Sequence, residues 1–314
     1  MDNELAELLA AVRAGRPRAI GRVISLVENR SPQLPALAQA LAPDTGRAHV
    51  IGLTGAPGVG KSTTTAALVG ALREQGRRVG VLAVDPSSPF SGGALLGDRV
   101  RMQAHALDPG VYIRSMATRG HLGGLAVAAP QALRVLDAAG FDVVLVETVG
   151  VGQSEIEVAA LADTTLVLLA PGMGDGVQAA KAGILEIGDI FVVNKSDREG
   201  AQALIRELRG MVALGDREPK AWKPPIVATV AHRREGIAEL LDRIELFRAA
   251  QETSGGWTAR RLARARQEVE GLVLARLQVE LALDPAADLE TLAQAVSRGE
   301  LDAYTAADRL RRAR

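Results

Sequence analysis

Eight consecutive residues, Gly55-Ala56-Pro57-Gly58-Val59-Gly60-Lys61-Ser62, carry the densest chemistry in this chain of 314 residues. They match the eight-residue phosphate-binding loop in full, and Thr63 follows directly. Glycines let the backbone curl around an anion so that several N–H groups point inward, and a helix beginning at Ser62 adds the positive end of its dipole. Lys61 reaches the β- and γ-phosphates of a nucleoside triphosphate, and the Ser62 hydroxyl is a hard oxygen ligand for Mg²⁺. The competing reading is a glycine-rich strand-to-helix turn that binds nothing. A strand pattern before the loop and a helix pattern after it favour nucleotide binding.

Asn194-Lys195-Ser196-Asp197 addresses the base. The Asp197 carboxylate only accepts hydrogen bonds, so it can pair with N1–H and the exocyclic amine of guanine, where adenine has no donors. A site built on such polar groups rejects the analogue that leaves them unpaired by on the order of 10⁴-fold. Alone, the four residues equally describe a polar loop. Their place at the end of a strand pattern, downstream of the phosphate loop, points to guanine. The segment Ala228-Thr229-Val230-Ala231 closes the last strand pattern, where a backbone N–H is expected to meet guanine O6. Two carboxylates close strand patterns at the same edge, Asp85 in VLAVDPSS and Glu147 in VETVGVGQSE. Beside Mg²⁺ and a triphosphate, such groups suit water-mediated metal binding and the positioning of an attacking water. Glu147 to Gly150 reads ExxG where most GTPases have DxxG. Asp98 in LLGDRVRM either joins the Mg²⁺ shell or is a solvated loop residue.

These residues need a scaffold, and the apolar patterning supplies one. Runs at 50–54, 79–85, 143–147, 164–170, 190–194 and 225–230 read as strands buried on both faces. They alternate with helical stretches such as 62–75 and 201–213, the signature of an α/β, three-layer P-loop NTPase domain with a mostly parallel sheet, placed at 46–250. Residues 1–45 form an N-terminal helical extension of two short amphipathic helices. Leu5, Leu8, Leu9 and Val12 share one face, and Ile20, Val23, Ile24 and Val27 share the next. After the break at Thr253-Ser254-Gly255-Gly256, Val269, Val273, Leu277 and Leu281 stand four apart in a C-terminal helical arm, 251–314, with a second helical stretch around 286–312. That stripe must be covered by the α/β domain or by a second copy of the chain.

Composition removes other classes. Hydrophobic residues make up 47% and charged residues 24%, ordinary for a soluble globular chain. Lys plus Arg and Asp plus Glu each number 37, so no global basic field recruits nucleic acid or an anionic membrane. The absence of cysteine removes disulfides, thiolate metal sites and cysteine nucleophiles. His49, His105, His121 and His232 are scattered and form no i,i+4 metal pair. An acidic N-terminus without an apolar core fits no secretory signal, and about 18 uncharged apolar residues never run together, so a cytoplasmic protein is expected.

GAPGVGKST, VLAVDPSSPFSGGALLGDRVRM, RGHLGG, VLVETVGVGQSE, LLAPGMGD, AKAGILEI and NKSD, in this order, resemble the MeaB/ArgK family, bacterial relatives of the methylmalonic aciduria type A protein. The resemblance covers nearly the whole chain. It implies a GTPase that docks on an adenosylcobalamin-dependent acyl-CoA mutase, typically methylmalonyl-CoA mutase, gates cofactor loading, and protects or reactivates the mutase. Cobalamin is then met only through that partner. It implies a homodimer built through the C-terminal arm. By residue, it assigns Lys61 and Ser62 to phosphates and Mg²⁺, Asp85 and Asp98 to the metal side of the first switch, and Glu147 to the Walker B position. Asn194, Lys195 and Asp197 are assigned to guanine, and a moving loop runs from Gly172 to about Lys181. The alternatives are a metallochaperone GTPase, for which ligand clusters are lacking, and a kinase of a transport binding protein, for which no phosphoacceptor site is recognisable.

Overall fold

The computed structural model describes residues 3–86, 105, 107–118, 124–148, 154–172, 184–214, 222–282 and 289–312. In chain order the elements are α1 (Asn3–Arg13), α2 (Pro17–Glu28), α3 (Leu34–Leu41), β1 (His49–Thr54), α4 (Lys61–Glu74), β2 (Val79–Pro86) and β3 (Val111–Thr118). Then follow α5 (Gly124–Ala138), β4 (Val143–Thr148), α6 (Ser154–Leu161), β5 (Thr164–Leu169), α7 (Ile184–Ile187), β6 (Ile190–Asn194), α8 (Ala201–Leu214) and β7 (Ile226–Thr229). The chain closes with α9 (Ile237–Ser254), α10 (Gly256–Ala282), α11 (Leu289–Ser297) and α12 (Ala303–Arg312).

Seven strands pair in the order β3-β2-β4-β1-β5-β6-β7, every pair parallel. The unbroken apolar runs follow from this architecture, because alternate residues of one strand enter different cores. On one face Val50, Leu82, Val84, Val144 and Val146 pack with α1, α2, α3 and α5. On the other, Ile51, Leu53, Val81, Leu145, Leu166 and Val192 meet Leu68 and Leu72 of α4 and Leu240, Ile244 and Phe247 of α9. Each such side chain contributes roughly 1.5–3 kcal/mol when fully buried. From β1 the chain moves toward β2 and β3, and it later returns through β4 to β5 on the other side. The crevice beyond the carboxyl ends of β1, β4 and β5 is therefore the topological switch point.

The structure departs from the sequence pattern at three places. β3 is an eight-residue edge strand with no place among the six expected strands. Its VYIRSMAT mixes polar and apolar residues because it has a neighbour on one side alone, and Arg114 is turned to Ser25 (3.0 Å) and Glu28 of α2. The first 45 residues hold three helices rather than two: α3 begins with a proline in its first turn and buries Leu37 and Leu41. The stretch around 286–312 is two helices, α11 and α12, joined by a turn.

Chain packing divides the molecule into Met1–Arg264 and Ala265–Arg314. In the first unit, the opening turns of α10 fasten to the edge of the sheet opposite the switch point. Buried Asp163 accepts from the Val50 N–H (2.9 Å) and from Arg261 (2.9 Å) and is ion-paired with Arg264 at 3.3 Å. Asp189 accepts from the Thr165 N–H (2.9 Å) and, through both oxygens, from Arg260 (2.7 and 2.8 Å). His49 sits among them, 2.8 Å from the Thr164 hydroxyl and edge-on to Trp257. In the second unit α11 and α12 pack against each other, and Val269, Val273, Leu274 and Leu277 of α10 are exposed. Among the described residues no helix is long and apolar enough to cross a membrane.

Candidate nucleotide site

β1 ends at Thr54, and Gly55 to Gly60 turn the chain into α4. Two glycines of this loop are dictated by crowding as well as by conformation. Gly55 has φ +136° and a Cβ there would lie 2.3 Å from the Leu168 carbonyl oxygen of β5. Gly60 has φ +97° and its Cβ would lie 2.3 Å from Asn194 Nδ2. Both sit where an L side chain is strained, and the space is already taken. The Lys61 side chain folds back over the loop, donating from Nζ to the carbonyl oxygens of Gly55 (2.6 Å) and Ala56 (3.1 Å). The ammonium is thus held inside the turn whose amides would cradle an anion.

Glu147 stands in register with Leu53 of β1 and Ala83 of β2, at the carboxyl edge of the sheet, and only 2% of it is exposed. A carboxylate so deeply placed needs hydrogen-bond partners. Ser62 Oγ donates to Oε1 at 2.9 Å and Thr65 Oγ1 to Oε2 at 2.5 Å. The phosphate-loop serine and the glutamate that closes β4 are therefore one assembly. Thr65 was not anticipated from sequence; its signal is the three-residue spacing from Ser62, which puts both hydroxyls on the same face of α4. Asp85 lies on β2 two positions beyond the level of Glu147, at the same edge. Asp98, His121, Gly150 and the segment 173–181 lie outside the described residues.

The other side of the crevice is organised by Asn194. Its Nδ2 donates to the Val59 carbonyl (2.8 Å), and its Oδ1 accepts from the Thr229 hydroxyl (3.2 Å) and the Ala231 N–H (3.1 Å). One buried side chain thus ties the phosphate loop to the loop after β7. Lys195, with φ +56°, extends across and donates from Nζ to the Gly58 carbonyl at 2.6 Å. The Ser196 N–H is held by the Thr229 carbonyl (3.0 Å), which fixes the turn that presents Asp197. Val230 is buried beside them, its N–H donating to the Glu235 carbonyl (3.1 Å). Asp197 Oδ2 accepts from Arg233 at 2.9 Å, a partner that no sequence motif marks. Asn194 and Lys195 of the expected guanine motif, far from the phosphate loop in sequence, are thus in direct contact with it.

A family model described as "Methylmalonyl Co-A mutase-associated GTPase MeaB" matches residues 20–285. A Pyrococcus abyssi protein is 46% identical over 308 residues, 96% of this chain and 94% of its own length. The GTPase ArgK of Escherichia coli is 38% identical over 271 residues, covering 84% and 80%. The mouse methylmalonic aciduria type A homolog, named as mitochondrial, is 41% identical over 214 residues, 67% of this chain and 52% of that one. The crystal structure of a LAO/AO transport system kinase superposes with a TM-score of 0.74 at 28% identity, covering 99% and 98% of the two chains.

Proposed function

The chain belongs to the family of methylmalonyl-CoA mutase-associated GTPases, and from that membership we propose that it is a nucleotide-driven chaperone of an adenosylcobalamin-dependent acyl-CoA mutase. It hydrolyses GTP, and the state of that nucleotide is what the mutase reads. The observation that carries the mechanistic part is the Asn194 bridge, which makes the base-side loop and the phosphate loop one mechanical piece.

In this reading Gly55, Ala56, Gly58, Val59 and Gly60 wrap the phosphates with their N–H groups, Pro57, which has none, shapes the turn between them, and Lys61 leaves the loop carbonyls to neutralise the β- and γ-oxygens. Thr63 follows in the first turn of α4, where an N–H meets an anion favourably. Asn194 and Asp197 read guanine, the Lys195 stem lies along the base, and Thr229, Val230 and Ala231 wall it. Ser62 and Glu147 supply adjacent hard oxygens, a donor set that suits Mg²⁺ held mainly by the nucleotide, and the family resemblance adds Asp85 and Asp98 as metal-side carboxylates. Mg²⁺ when bound spreads the charge that develops on the transferred phosphoryl group. Glu147, anchored by Thr65, keeps Ser62 oriented and offers an acceptor for a proton of the attacking water.

The exposed Val269, Val273 and Leu277 on α10 support a homodimer joined through the C-terminal arm. The deciding experiment is a pull-down of candidate acyl-CoA mutases on the tagged chain with GDP or a non-hydrolysable GTP analogue. A nucleotide-dependent complex in which the mutase raises the GTP hydrolysis rate supports the assignment. A mutase that neither binds nor alters hydrolysis in either nucleotide state overturns it.

A further inference from the structure

The loop that follows β7 is fastened at its root and carries one charge toward the base-reading carboxylate. Ala231–Arg233 is a single 3₁₀ turn, closed by Arg233 N–H to the Val230 carbonyl (2.9 Å) and Arg234 N–H to Ala231 (3.1 Å). The Val230 N–H bonds the Glu235 carbonyl (3.1 Å), and Arg234, at φ +62°, reaches Glu74 of α4 (2.8 Å). Ala231 is also the residue whose N–H holds Asn194. From this fixed base the Arg233 guanidinium projects to Asp197, 36 positions earlier, donating to Oδ2 at 2.9 Å, with Glu235 3.6 Å from its other nitrogen.

We propose that Arg233 is a positioning residue for base recognition: it locks the rotation of the Asp197 carboxylate so that both oxygens face the N1–H and 2-amino donors of guanine. The inference rests on the guanine-reading role given to Asp197 above. The terminal torsion of an aspartate is broad, so a carboxylate held at one point alone can turn out of the plane of a base edge. A guanidinium on one oxygen removes that freedom before the base arrives, and pre-ordering lowers what binding must later spend on it. Oδ2 has two lone pairs, so accepting from Arg233 leaves it able to accept from the base. Asp197 and Arg233 are both partly exposed, so the pair adds little to folding, and its effect is expected in recognition.

The test compares GDP with inosine diphosphate, which lacks the 2-amino group, as ligands of the full-length protein by fluorescent-nucleotide competition. In the parent protein GDP is expected to bind more tightly than IDP and far more tightly than ADP. Arg233→Ala is expected to weaken GDP about three- to tenfold, the scale of a partly exposed charge-assisted contact. IDP falls by a smaller factor, so that the GDP/IDP ratio contracts, while thermal stability holds. Arg233→Lys recovers part of the ratio, since an ammonium still pins one oxygen. Equal losses for GDP and IDP, or an unchanged GDP affinity, overturn the positioning role. If the parent protein shows no preference for GDP over ADP, the guanine reading of Asp197 falls with it; if that preference stands and the ratio ignores Arg233, only the present inference falls.

Discussion

Lys61 and Asp197 mark the two ends of the nucleotide in this reading, and each makes a separable prediction. Lys61→Ala deletes the cation that the phosphate loop holds at 2.6 Å from the Gly55 carbonyl, and GTP turnover measured by phosphate release should drop at least 100-fold. Retained turnover would remove the loop lysine from the chemistry. Asp197→Asn exchanges an acceptor for a donor opposite position 2 of the purine, so preference should move from GTP toward xanthosine triphosphate by about tenfold or more, read as competition binding. Continued rejection of xanthine would show that another group reads the base edge. The phosphate loop and Asn194 to Asp197 are legible in sequence because each is contiguous and its glycines and polar residues have one dominant use. Thr65 and Arg233 are not, because each gains its partner only through folding: Thr65 meets Glu147 across 82 positions, and Arg233 meets Asp197 across 36.

Elements rather than single residues decide how the lower edge of the sheet responds to acid. His49 opens β1 beneath Trp257, and its imidazole is lowered from 6.5 to about 4, chiefly by burial, with the Asp163 carboxylate pulling the other way. Above about pH 6.5 the ring is neutral folded and unfolded, so it leaves stability unchanged. Between about 6.5 and 4 the unfolded chain takes a proton that the folded chain refuses, and stability falls as pH falls, by at most about 1.4 kcal/mol per pH unit from this group. Urea midpoints taken from pH 7 to 4.5 should show this decline, and His49→Asn should flatten part of it. Parallel slopes in the two proteins would exclude His49 as the source. The same scale explains what sequence conceals. Five of the six strands read from sequence stand inside the sheet, and the sixth, β7, is a rim strand that still reads as a short apolar run; β3 at the opposite rim mixes Tyr112, Arg114 and Ser115 with apolar residues and so imitates a polar loop. α3 escapes notice because eight residues give barely two turns of periodicity.

At the scale of the molecule, α10 links the sheet unit to the arm as one continuous helix from Gly256 to Ala282. If the arm joins two copies, Val273→Glu should convert a dimer to a monomer in light scattering while leaving GTP hydrolysis within about twofold, because the substitution lies outside the sheet unit. A parent protein that is already monomeric at micromolar concentration would remove the arm from assembly. Parallel order has a further consequence, for the nascent chain. β1, which ends in the phosphate loop, lies between β4 and β5: His49 pairs with Val143 and Ile51 with Thr164. The ribosome therefore releases the phosphate loop long before either flanking strand exists, and β1 waits as an unpaired apolar segment through the synthesis of α4, β2, β3 and α5. Asn194, which bonds the loop at Val59, emerges later still. The two loops that Asn194 ties together thus meet only after β6 has joined the sheet, so the crevice is completed late in synthesis.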